Sequence, residues 1–332
     1  MRDIRIAAAQ FEHRDSDKSY NLSRVRELAR RAAGQGAEVV VFHECCLSGY
    51  TFLQHLDRDA FKALAEPVPD GPCVQALEAI ARDCGVVIGA GLVEVDPSGT
   101  FHNAYAVVGP GGFIVKHRKL HTFISPHHTP GDRYTTFELN GVTIGVLTCY
   151  DNNLPENVRA TTLLGAEVIL MPHVTGCLPS TMPGRGTVDR SLWDNRLRDP
   201  VRLRLEFQGP KGKGWLMKWL PARAWENGIY AVFSNAVGID GDTIKPGLAM
   251  ILDPHGDPLV ESQALGDDVV VGLLTAETYE QASGRRYLRA RRPELYGKLV
   301  EPPPPGEAPV TLPGWERAFD RRSFPSTGRE PD

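Results

Sequence analysis

The chain has 332 residues, 42% hydrophobic and 23% charged, long enough to bury a substantial core without disulfides or metals. Its net charge of −4 and pI near 6.2 give no overall attraction to nucleic acid or to an anionic membrane surface. No apolar run approaches the roughly 18 residues of a membrane-spanning helix, and the N-terminus has too few apolar residues for a secretory core of about 7 to 15, so a cytoplasmic protein is expected.

The first segment, "IRIAAAQF" (4–11), reads as a strand, and "YNLSRVRELARRAAGQG" (20–36) as an amphipathic helix stopped by glycines. A buried strand, "AEVVVFHE" (37–44), follows and ends on a charged residue. A helix around 73–84 leads to a strand at 85–95, then to a hairpin over 101–119 turning at "GPGG". A second hairpin over 135–151 turns at "NG". Next come a helix at 155–166, a strand at 167–174, an irregular stretch, and a helix at 220–227. Extended segments at 229–239, 248–262 and 269–275 complete the ordered part. Strands dominate and hairpins rule out purely parallel sheets, so the pattern predicts a layered α/β or α+β domain with helices packed outside two sheets. The proline-rich end, 300–332, lacks periodicity and is expected to wrap a surface as an extension to a main domain over 1–299.

The six cysteines form no CxxC pair and the ten histidines no HExxH motif, so no metal site is expected and free thiols in a reducing compartment fit best. Three strand ends carry reactive groups: Glu44 after "VVVFH", Lys119 after "KHR", and Cys149 after "IGVLT". Strand ends fix side chains rigidly while the following loops admit substrate. A thiol attacks only as thiolate. A neighbouring ammonium lowers its pKa, and a neighbouring carboxylate can take its proton and return it to a leaving amine. Together the three are a sufficient kit for acyl transfer through a thioester. The backbone N–H after Cys149 and the Lys119 ammonium are available to the oxyanion. Taken singly, each residue also has a plain reading, as an edge glutamate, an exposed lysine or a core cysteine.

In sequence order, "HECCLSGY" (43–50), "KHRKLH" (116–121) and "LTCYDNNLPENVRA" (147–160) resemble the three motifs of the carbon–nitrogen hydrolase family, the nitrilase superfamily. "AAAQF" (7–11), "HNAYAVVGPGG" (102–112), "PARAWENGIYAVFSNAVG" (221–238), "ILDPHGDPL" (251–259) and "RRPELYGKL" (291–299) resemble its framework segments. The resemblance implies an α/β fold, a four-layer α-β-β-α sandwich, paired into homodimers or larger homo-oligomers. It also implies a Glu–Lys–Cys triad working without metal or organic cofactor. By position, Glu44 is the general base and acid, Lys119 the stabiliser of the tetrahedral intermediate and Cys149 the nucleophile.

Two departures stand out. Many family members carry a second glutamate between the lysine and a "PG"; here "LHTFISPHHTPG" (120–131) has none, and His127 and His128 are the candidates for its polar role, against a reading as exposed loop histidines. Between 176 and 220 the chain carries a basic insertion, with nine Lys and Arg against four Asp and Glu over 177–219, and with Trp193, Trp215 and Trp219. Two roles are open for it: a lid that offers arginines to an anionic substrate, or an oligomer contact. Tyr150, through its backbone N–H, and His173, just past a strand end, are further candidates for substrate contact; Asp151 reads equally as a loop anchor or a turn former.

"CYD…PE" after the nucleophile resembles amidase members more than nitrilases. The expected activity is therefore an amidohydrolase cleaving a linear amide or N-carbamoyl compound and releasing ammonia or an amine. A nitrilase, a thioester-using N-acyltransferase and, last, a non-catalytic oligomeric scaffold are the alternatives.

Overall fold

The computed structural model describes residues 1–180 and 182–302; most of the expected C-terminal extension lies outside the described residues. The strands are β1 (Ile4–Gln10), β2 (Val39–Val41), β3 (Val87–Val95), β4 (Phe101–Gly109), β5 (Gly112–Arg118), β6 (Thr135–Leu139) and β7 (Val142–Val146), then β8 (Val168–His173), β9 (Tyr230–Asn235), β10 (Val237–Asp240), β11 (Thr243–Pro246), β12 (Met250–Leu252), β13 (Pro258–Glu261) and β14 (Asp268–Leu274). Two six-stranded sheets result, ordered β14-β1-β2-β3-β4-β5 and β13-β12-β9-β8-β7-β6, with β10 and β11 as a separate hairpin. In both sheets only the two pairings around β2 and around β8 are parallel. The two halves thus share a pairing pattern with no sequence repeat.

The period-two geometry of a strand explains why the central segments are apolar throughout. Ile4, Ile6 and Ala8 of β1 face a core between the sheets, together with Val39, Val41, Ile144, Leu170 and Val232, whereas Ala7, Ala9 and Val40 face the opposite side. That outer side is covered by α1 (Lys18–Gly34) and α3 (Pro72–Cys84), whereas α2 (Arg58–Leu64) packs through Phe61 and Leu64 in a separate cluster with Tyr50 and Phe101. The outer face of the second sheet is covered by α4 (Pro155–Leu163) and later by the helix Leu220–Asn227. The layers therefore run helix, sheet, sheet, helix, as the pattern of elements leads one to expect.

Local differences from the sequence reading have local causes. The first helix begins two residues early because the Asp17 side chain accepts from Tyr20 N and caps it. The segment 229–239 is two strands, not one: β9 ends at Asn235, whose side chain bonds Thr175 and Gly247, and β10 pairs with β11 instead. The irregular stretch holds α5 (Arg190–Asp194), α6 (Pro200–Gln208) and α7 (Lys213–Leu216). The helix Leu220–Asn227 that follows is α8. Trp193, Leu203 and Phe207 of the insertion pack on Val237 of β10 and Ile244 of β11, giving it a small core of its own.

Candidate active site

The carboxyl ends of parallel strands in both sheets open toward one region. β2 ends at Val41 and the chain turns through Glu44 and Cys45, whose φ of 46° lies in the left-handed region. This turn lies so close to β3 that a Cβ on Gly91 would sit 2.2 Å from Cys45 N and 2.8 Å from the Glu44 carbonyl carbon. Only glycine fits there. Behind the turn, His43 Nε2 is 3.1 Å from His13 Nδ1, and His13 is 3.3 Å from Asp240, which accepts from Thr51 Oγ1 at 2.6 Å. This buried group ties the β10–β11 hairpin to the turn that carries Glu44. Burial, reinforced by His13, holds the His43 pKa well below its ordinary value.

Lys119 follows β5 and is fixed through its backbone: its N–H donates to Asn103 O at 2.9 Å and its carbonyl accepts from Gly131 N at 2.8 Å. A Cβ on Gly131 would lie 2.3 Å from Arg118 O, so the "PG" turn must be glycine to fold back onto the lysine. The Lys119 ammonium donates to Glu44 Oε1 at 2.6 Å, and the Asn103 amide donates to the same oxygen at 2.7 Å. Oε2 of Glu44 is buried without a partner. Nζ also lies 4.6 Å from the Phe123 ring centroid. Burial opposes the ammonium charge, but Glu44 and the neighbouring groups hold the Lys119 pKa above its ordinary value.

Cys149 begins a short 3-10 turn after β7, at a φ of 51°, a strained conformation for a residue with a Cβ. The turn is held by a reciprocal pair: the Asp151 N–H donates to the Thr148 carbonyl at 3.1 Å, and the Asp151 carboxylate accepts from Thr148 N at 3.1 Å. The same buried carboxylate accepts from Leu120 N at 3.2 Å and His121 N at 2.9 Å, with His117 Nε2 3.3 Å away. Asp151 therefore bolts the lysine loop to the cysteine loop. The thiol contacts the Glu44 carboxylate and receives the Val174 backbone N–H; burial first, and then the Glu44 charge, push its pKa up to about 12. The Cys149 sulfur is thus a neutral thiol beside a carboxylate that can take its proton.

The structure thereby gathers Glu44, Lys119 and Cys149 from three strand ends into one buried cluster. Tyr150, 41% exposed, lines the cavity above it and packs on His121 and Phe123. His173 is buried away from the cavity wall: its ring packs on Phe233 and Trp219, Nδ1 donates to Met171 O at 2.9 Å, and burial lowers its pKa to about 3. His127 and His128 are also off the cavity wall, because a bridge between His128 and Phe101 turns both rings onto Phe61. Burial, with Lys119 nearby, lowers the His128 pKa to about 3. The lysine loop instead presents His121 and Phe123 to the cavity. Sequence reasoning missed these two and Asn103, although "KLHTF" and "HN" stand inside or beside the quoted motifs. The contribution of Asn103 depends on the β3–β4–β5 pairing, which sequence spacing does not reveal.

The cavity has a volume of about 1130 Å³ and reaches Cys149 between Tyr50, Phe123 and Tyr150 on one side and Leu178, Met182 and Trp215 of the insertion on the other. The insertion is thus part of the wall.

Comparison with known proteins agrees over most of the chain. The carbon-nitrogen hydrolase family model matches residues 5–283. An (R)-stereoselective amidase from Pseudomonas sp is 33% identical over 306 residues, covering 90% of this chain and 96% of the relative. A nitrilase from Pyrococcus abyssi (strain GE5 / Orsay) is 29% identical, covering 83% and 90% respectively. Among solved structures, a cysteine-to-alanine variant of an amidase from Nesterenkonia sp. AN1, in complex with butyramide, superposes with a TM-score of 0.65 at 24% identity, over 90% of this chain and 97% of that one. The chain belongs to the carbon-nitrogen hydrolase family, the nitrilase superfamily.

Proposed function

We propose that this hydrolase of non-peptide carbon–nitrogen bonds acts on a linear amide or N-carbamoyl compound through a thioester on Cys149. The observation that carries the proposal is the buried cluster in which Glu44 contacts both the Lys119 ammonium and the Cys149 thiol. The Cys149 sulfur attacks the carbonyl carbon as its proton passes to the free oxygen of Glu44. The oxyanion receives the Lys119 ammonium and the Tyr150 backbone N–H. Glu44 returns the proton to the leaving nitrogen, the C–N bond breaks, and ammonia or an amine departs. Water then loses a proton to Glu44, attacks the thioester and frees the acid, and the proton returns to sulfur. Similarity to the Pseudomonas amidase supports an amide over a nitrile; the Pyrococcus nitrilase keeps the nitrile reading in the test.

The test is intact-mass spectrometry of wild-type and Cys149→Ala protein after exposure to amides, ureido acids and nitriles. An acyl adduct on wild type alone supports the proposal. No adduct from any of them, or equal turnover by the alanine variant, refutes it. Adducts that discharge only onto an added amine would favour an acyltransferase. The proposal includes a homodimer joined through the α4–α8 layer, supported by exposed Leu163, Leu164 and Trp225 on that face. Light scattering that gives a monomer mass at micromolar concentration would refute the pairing.

A further inference from the structure

The amidase chemistry gives no role to the cation that the insertion places on the cavity wall. Among the described residues, Arg185 is the only one of the insertion's lysines and arginines that lines the cavity with Cys149. Its guanidinium carbon stacks 4.0 Å from the centroid of the Trp215 ring, and its Nε is buried with no hydrogen-bond partner. Other cations of the insertion are engaged: Arg190 lies 3.1 Å from Asp194, Lys211 lies 2.7 Å from Glu206, and Lys213 pairs with Glu261. Lys245, on the same cavity, lies 3.5 Å from Asp240. Among the described residues no ion pair joins a carboxylate to Arg185. The half-buried guanidinium gains the Trp215 face, but no anion offsets the hydration its charge has lost.

Resting on the amidase reading above, we propose that the substrate is an amide that also bears a carboxylate, seated on the Arg185–Trp215 face while its scissile carbonyl meets Cys149. The planar fork of arginine matches a carboxylate with two parallel N–H···O bonds, and the Trp215 ring holds the fork flat and pre-oriented. Apolar side chains, Leu178 and Met182 among them, line the space between and suit a hydrocarbon body. A cavity of about 1130 Å³ also exceeds what a four-carbon amide would fill.

Two measurements on the full chain test this. In calorimetry, Cys149→Ala protein is expected to bind 4-phenylbutyrate at least tenfold tighter than 4-phenylbutan-1-ol. Adding Arg185→Gln should remove that advantage, and Arg185→Lys should restore only part of it. In turnover, wild type is expected to favour adipic acid monoamide over hexanamide at least tenfold, mainly in KM, and Arg185→Gln should collapse that ratio. Equal binding of acid and alcohol, or a ratio that survives Arg185→Gln, overturns the carboxylate assignment while Cys149 acylation leaves the amidase reading standing. Absence of acylation by every amide overturns the amidase reading, and this assignment with it.

Discussion

Replacing Asp151 with asparagine tests whether one buried carboxylate aligns the nucleophile with the lysine. One of its oxygens accepts from His121 N at 2.9 Å; the other serves Thr148 N at 3.1 Å and Leu120 N at 3.2 Å, with His117 Nε2 at 3.3 Å. An amide must turn its NH2 toward one of these sets. The less costly choice faces His121 N–H, leaving two donors opposed, at about 1–3 kcal/mol. The remaining bonds lose their charge, about 1 kcal/mol each. The expected loss is about 3–5 kcal/mol, which for a domain of roughly 300 residues is a fall in Tm of about 5–8 °C. Because the two loops are no longer pinned together, kcat should fall at least about 100-fold through misalignment. Calorimetry and ammonia release from an amide that acylates Cys149 measure both. A Tm within 2 °C and activity within about twofold of wild type would show that Asp151 only forms a turn, and the alignment argument would fail.

Other expectations concern the same cluster. Despite its burial, the Asp151 pKa is lowered, chiefly by the His117 hydrogen bond. Its stabilisation is therefore fully present above the ordinary carboxylate value of about 3.9 and lost as pH falls through the lower folded value. Acid unfolding of wild type should show a component below about pH 4 that Asp151→Asn lacks. With the Cys149 thiol raised to about 12, the absorbance difference near 240 nm between wild type and Cys149→Ala should show no thiolate step from pH 6 to 10; a step near 8.5 would contradict the buried neutral thiol. Gly91→Ala places a Cβ 2.2 Å from Cys45 N. It should cost about 1–3 kcal/mol and lower kcat, and a neutral result on both would refute the close packing of the Glu44 turn. Asn103→Ala removes the 2.7 Å bond to Glu44 and should lower kcat about 10- to 100-fold with little change in KM; an effect confined to KM would contradict a role in holding the base.

The sequence by itself determined most of the strands, the main covering helices and the places of Glu44, Lys119 and Cys149 at or just past strand ends. Apolar runs bounded by glycine, proline and "NG" mark strands and turns, because these signals depend on local backbone sterics. The order of Glu44, Lys119 and Cys149 within quoted motifs was equally legible, since each motif is a short contiguous stretch. The surroundings of those residues were not. His127 and His128 look like free polar groups in sequence, yet one bridge to Phe101 turns them onto Phe61, while His121 takes the cavity wall. His173 ends its strand as expected, but packing puts its ring among Phe233 and Trp219, away from the cavity wall. Asn103 and Arg185 reach the site from β4 and from the insertion, whose packing on β10 and β11 depends on contacts distant in sequence. Local patterns fix which backbone each segment adopts. Which side chains meet across sheets is set by non-local pairing and packing, and only the tertiary structure decided that.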